Sequence, residues 1–81
     1  MTNQNKNPFE IVASVLNVPV EYITNDSGYG ISGGWDSMNH LSIFTEFETE
    51  YNISIPDENI EKHTNMEQIA NFLRDEMNIN W

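Results

Sequence analysis

Gly33-Gly34-Trp35-Asp36-Ser37-Met38-Asn39-His40-Leu41-Ser42-Ile43-Phe44 decides the fold, because within this stretch a glycine-rich loop becomes an amphipathic helix. Asp36 is placed to cap that helix by accepting a backbone N–H, which sets Ser37 on the first turn with its hydroxyl outside the core. From Ser37 to Tyr51, at about 100° per residue and roughly 3.6 residues per turn, His40, Ile43, Phe44, Phe47 and Tyr51 share one face, the predicted core side. Met38, Leu41 and Thr45 lie together off that face, beside Ser37, and an apolar pair there predicts a docking patch. A serine nucleophile needs a base and a group orienting that base. The chain has two histidines, His40 and His63, and the core-side angle of His40 favours a packed histidine over one that reaches the site of Ser37, one turn away. The exposed serine therefore reads as an attachment point, and no catalytic residue is expected.

Working outward, Asn7-Pro8-Phe9-Glu10 is a helix start, with Asn as cap, Pro at the first helical position and Glu at the third. Phe9, Val12, Ala13 and Leu16, with Val15 beside them, predict its buried face. Asn17-Val18-Pro19 ends it, since proline excludes the preceding residue from helical geometry. Residues 18 to 35 form a long connection in which Val20, Ile23, Tyr29 and Ile31 are the expected packing anchors and Glu21 to Ile23 can make one turn. This loop lacks the Gly-Lys-Ser/Thr ending and the preceding strand of a P-loop. After the second helix, Ile53-Ser54-Ile55-Pro56 is an extended connector and Asp57 to Lys62 a short helix. Thr64-Asn65-Met66-Glu67 reads as a capping box, followed by Met66, Ile69, Ala70, Leu73 and Met77 at helical spacing with Phe72 flanking. The expectation is an all-α, small four-helix bundle with a long loop between helices 1 and 2 and a short helix 3. Residues 1–6 read as a polar tail, 7–77 as the folded unit, and 78–81 as a polar end carrying Trp81.

Eighty-one residues allow one domain with one modest core. Thirteen acidic residues against three basic ones give a formal charge of −10. That balance excludes nucleic acid and anionic membrane as partners, because phosphate binding needs Lys and Arg, and it favours partners with basic docking surfaces. No cysteine is present, so packing alone supports the fold. No apolar run reaches membrane-spanning length and no signal peptide opens the chain, so a cytoplasmic protein is expected; a monomer is expected as well. Two separated histidines make no zinc site, and the residues after Asp26 make no calcium loop.

With Asp36-Ser37-Met38 at the head of the second helix, the chain resembles the acyl carrier proteins, whose signature there is Asp-Ser-Leu. Ile23-Thr24-Asn25-Asp26-Ser27 resembles the loop before the carrier serine. Glu48-Thr49-Glu50-Tyr51-Asn52-Ile53-Ser54-Ile55-Pro56-Asp57-Glu58 resembles the end of helix 2 and its connector, and Glu61-Lys62-His63-Thr64 the stretch into the last helix. The resemblance implies a carrier that is not itself an enzyme, with 4′-phosphopantetheine joined to Ser37 by a phosphodiester and Asp36 as the acid of the motif. It also implies partners: a phosphopantetheinyl transferase, a loading ligase or transferase, and downstream synthase or condensing enzymes. These would dock on Met38, Leu41 and Thr45 by apolar contact and on Glu46, Glu48, Asp57, Glu58 and Glu61 by charge. A helix N-terminus suits such a phosphate, since free N–H groups and the helix dipole favour negative charge.

Several positions depart from the fatty-acid carriers. Asn39, His40 and Ser42 leave the start of helix 2 neutral, Trp35 precedes the Asp-Ser pair, His63 stands where an aliphatic residue is usual, and Ile60 where a small one is common. His63 and Ile60 point to a smaller or more polar cargo, and Trp35 with His40 resembles a free-standing carrier of a secondary-metabolite or cell-surface pathway, with Trp35 as a core anchor for the loop the alternative reading. Two rivals stand beside that reading. One is an aminoacyl, peptidyl or D-alanyl carrier, from which the Trp35 inserted after Gly33-Gly34 departs; the other is an unmodified acidic helical adaptor.

Overall fold

A computed structural model describes residues 5–81, and of the polar tail read over residues 1–6 only Asn5 and Lys6 fall among them. Four α-helices follow in order: α1 (Pro8–Leu16), α2 (Ser37–Tyr51), α3 (Asp57–Lys62) and α4 (Met66–Asn71), the last continued by a π-helical turn over Phe72–Glu76. No strand occurs among the described residues, only an isolated antiparallel bridge between Gly28 and Asn65. The all-α four-helix bundle, the long first loop and the short third helix are as the sequence predicts. No helix among the described residues is long and apolar enough to cross a membrane.

The core is organised along α2. His40, Ile43, Phe44, Phe47 and Tyr51, the predicted face, are all buried. Their spacing of three and four residues stacks the aromatic rings into a ladder: His40 and Phe44 at 5.0 Å, Phe44 and Phe47 edge-on at 5.3 Å, Phe47 and Tyr51 stacked at 6.0 Å. Each buried phenylalanine contributes about 1.5–3 kcal/mol. Ile11, Val12, Met66, Ile69 and Leu73 close the core from α1 and the C-terminal helix.

Four local expectations are corrected. On α1 the buried residues are Pro8, Ile11, Val12 and Ala13, while Phe9, Val15 and Leu16 are only partly covered. The stripe is displaced toward Ile11 because α2 packs on that flank; Ile11 shares a cleft wall with Glu46 and Glu50. The same helix ends at Asn17, whose left-handed φ of 60° lets the Val18 N–H reach the Ala13 carbonyl at 3.0 Å, ahead of any effect of Pro19. Of the four anchors expected in the long loop only Ile23 is buried, whereas Val20, Tyr29 and Ile31 are exposed. Backbone hydrogen bonds tie the loop down instead: Tyr29 N–H to the Thr64 carbonyl (2.8 Å), Met66 N–H to Ser27 (2.8 Å) and Glu67 N–H to Asn25 (3.2 Å).

The fourth correction concerns α4. Its cap is Asn65, which accepts the Gln68 N–H at 2.9 Å, while Gln68 reaches back to the Thr64 N–H at 3.0 Å. The cap is thus shifted by one residue, from Thr64 to Asn65, and the return bond goes to the residue before the cap, because Thr64 is held in the loop by its carbonyl bond to Tyr29. Beyond Asn71 the wider π turn, with Met77 N–H bonded to Phe72 carbonyl five residues back, brings both Phe72 and Leu73 into the core. Residues 78–81 fold back. Ile79 is 6% exposed, Trp81 packs against the core with the Arg74 guanidinium 4.5 Å over its ring, and the Asn80 carbonyl accepts the Asn5 N–H.

Candidate functional site

The site is assembled by the last turn of the loop and the first turn of α2. Gly34 adopts a left-handed φ of +83°, which a side chain would strain. Its carbonyl is held twice, by the Asp36 N–H at 3.0 Å and the Asn39 side-chain amide at 2.6 Å. Asp36 then caps the helix, its Oδ1 accepting the Asn39 N–H at 2.9 Å, while its carbonyl takes the first helical bond, from His40 at 2.8 Å. Ser37 follows, exposed, on the first residue of α2. The Ser37 and Met38 N–H groups take part in no hydrogen bond among the described residues, so the turn keeps the free donors typical of a helix start.

Trp35 anchors this turn from below. It is 2% exposed, and its indole N–H donates to Nδ1 of His40 at 2.9 Å. Nε2 of His40 lies 2.8 Å from the Ile60 carbonyl on α3. An indole N–H only donates and a carbonyl only accepts, so the ring is held with its proton on Nε2. Both nitrogens are committed within the protein and His40 is 5% exposed, as expected of a packed histidine. The ring reaches from the loop through α2 to α3.

Beside Ser37 a largely apolar cleft of about 300 Å³ opens between α2 and α3, lined by Tyr29, His40, Leu41, Ile60, Glu61 and Thr64. The distances and partners of Tyr29 and Ile60 were not legible from the motif. The signal that comes nearest is Trp35 and His40, two large residues flanking a capped serine. His63, singled out by its type, is half-buried, stacks on Phe72 at 4.5 Å and has Nδ1 2.7 Å from the Asn59 carbonyl. It lines a different cleft, with Lys62, Gln68, Asp75 and Glu76.

The proposed docking residues do not all come together. Met38 and Leu41 are 79% and 57% exposed and Thr45 is exposed one turn on. Asp57, Glu58 and Glu61 are exposed on α3. Glu46, by contrast, borders the cleft on the α1 side of the helix, with Lys6, Ser14 and Val15. Glu48 is half-buried and spends its Oε2 on the Ile55 N–H at 2.7 Å, fastening the connector after α2.

Comparison with known proteins gives the family. The family described as the phosphopantetheine attachment site matches residues 9–73. The chain belongs to the acyl carrier protein family. It is 32% identical over 65 residues to an acyl carrier protein of Chloroherpeton thalassium, covering 80% of this chain and 81% of that one. It is 30% identical over 70 residues to an acyl carrier protein of Petrotoga mobilis, covering 86% and 82%. A carrier of this family bears a phosphopantetheine arm, installed by a phosphopantetheinyl transferase and served by acyl-handling enzymes, and is not itself an enzyme. The residues present fit such an arm: an exposed hydroxyl on a helix start with free N–H donors for a phosphate, next to an apolar cleft. When bound, the arm supplies a terminal thiol that holds an acyl group as a thioester.

Proposed function

We propose that Ser37 is the residue that bears the phosphopantetheine arm, with Asp36 as the acid that caps the helix and fixes the hydroxyl on its first turn. The observation that carries this reading is an exposed serine at the start of α2 whose neighbouring N–H groups are unengaged. Negative charge at that position is favoured by about 0.3–1 kcal/mol through the helix dipole. Co-expression with a broad-specificity phosphopantetheinyl transferase tests it, because modification adds roughly 340 Da, a covalent change visible by mass spectrometry. Fragment masses that put the added group on any residue other than Ser37 would sink the assignment.

Partner enzymes dock, in this reading, on Met38, Leu41 and Thr45 together with Asp57, Glu58 and Glu61, all of them exposed, with Leu41 and Glu61 lining the same cleft. Glu46 and Glu48 contribute least, one facing α1 and the other engaged with Ile55. The neutral start of α2, with Asn39 and Ser42, supports service in a specialised biosynthetic pathway rather than bulk fatty-acid synthesis. Such a carrier would act as a monomer in the cytoplasm. Charge reversal of Glu58 and Glu61 to lysine, followed by transfer kinetics with the cognate loading enzyme, tests the docking face; the expected effect is a raised KM with kcat little changed.

A further inference from the structure

His40 stands between the cleft beside Ser37 and the hydrophobic core. On the cleft side, the Tyr29 ring lies 5.2 Å from the imidazole. Within the core, the fully buried Phe44 lies 5.0 Å from it. The imidazole is fixed there by both nitrogens, one to Trp35 and one to Ile60. Because Ile60 belongs to α3, the second of these bonds crosses the seam between α2 and α3 in the wall of the cleft.

We propose that His40 is a specificity-determining residue that sets how deep an acyl group is taken into the chain. The hydrogen-bonded ring closes the seam, so that short acyl groups lodge in the cleft of about 300 Å³ while long alkyl chains are kept out of the core. This rests on the attachment of the arm at Ser37. A long chain passing the ring would have to part His40 from Ile60 or Trp35, and a buried donor or acceptor left without a partner is costly. An aliphatic residue in the same place would move aside without breaking a hydrogen bond. His40 therefore selects by the polar contacts it makes within the protein and touches neither the phosphate nor the reacting atoms.

The test loads the arm-bearing protein with a butyryl or a dodecanoyl group, verifies each by mass, and compares melting temperatures with the unloaded form. In the wild type, butyryl raises the melting temperature and dodecanoyl raises it no further. In His40→Ala, dodecanoyl stabilises beyond butyryl, and His40→Gln, whose amide N–H can reach the Ile60 carbonyl, restores the wild-type order. Should His40→Ala not fold, the ring ¹⁵N signals of wild-type His40 serve instead, with the same shifts expected under both cargoes. Displacement of those signals by dodecanoyl, or equal chain-length responses in wild type and His40→Ala, overturns the proposal alone. Absence of any mass gain overturns the attachment at Ser37 and the proposal with it.

Discussion

The starts of α2 and α4 carry the same local device, since Asp36 and Asn65 each accept the N–H three residues further on, at 2.9 Å in both cases. Beyond the cap they diverge. At α4 the next two donors, Met66 and Glu67, are taken by the Ser27 and Asn25 carbonyls of the long loop. At α2 the corresponding donors, Ser37 and Met38, are left free and the side chains are exposed. One helix start is spent on holding the fold together, and the other keeps its donors free. The loop itself makes the difference, because it lies against α4 and then delivers the chain to α2 from beneath, with Trp35 buried and Ser37 outside.

That contrast can be broken most directly at its open end. Ser37→Ala is expected to abolish the mass gain of roughly 340 Da on treatment with the transferase while leaving the melting temperature nearly unchanged, since an exposed hydroxyl supports little of the fold. Full modification of the variant would refute the role given to the open end.

At the closed end the largest effect is expected from Gly28→Ala. A Cβ there would sit 2.6 Å from the Thr64 carbonyl oxygen, a backbone atom that cannot turn away. The loop would have to lift from the start of α4, at a cost of about 1–3 kcal/mol, read from chemical denaturation. Modification of Ser37 should survive wherever the variant is folded.

The two caps sharpen the comparison further. Asp36→Ala and Asn65→Ala are each expected to lower stability by about 1 kcal/mol, so denaturation alone will not tell them apart. The rate of arm transfer should, falling for Asp36→Ala and holding for Asn65→Ala. Equal transfer rates would mean that the α2 cap serves the fold only.

The smallest effect at neutral pH is expected at the far end of α2, where the Tyr51 hydroxyl donates to the Lys6 carbonyl at 2.7 Å. Burial foremost, then the nearby Glu50 and Glu10 carboxylates, push its ionisation well above the ordinary value of 10.0. A group whose pKa is raised by folding stabilises fully below its unfolded value, so this contribution is intact at neutral pH and lost as pH rises past 10. Tyr51→Phe should cost about 0.5–1.5 kcal/mol at neutral pH and flatten the alkaline decline seen in denaturation. An unchanged alkaline slope would show that Tyr51 is not its source.

Much of this was legible in the sequence, and for definable reasons. The bounds of α2 and its buried face follow from a cap residue and a strict helical period, both local. The place of Ser37 outside the core follows from the same two facts. What was missed lies in contacts between distant segments. Val20, Tyr29 and Ile31 are apolar and so looked like anchors, yet the loop is held by backbone bonds to α4, which leave no mark on composition. Glu46 and Glu48 are alike on paper, but one faces α1 and the other is drawn in by the Ile55 N–H.

The chain's composition and periodicity determined a small acidic helical bundle with a capped, exposed serine, because caps and amphipathic faces are written in residues a few positions apart. Folding alone decided that His40 would be spent between Trp35 and Ile60, residues five and twenty positions away, and that one helix start would stay open while its twin was consumed. Those outcomes depend on which backbone donors and acceptors meet across the bundle, and every residue but proline offers the same pair.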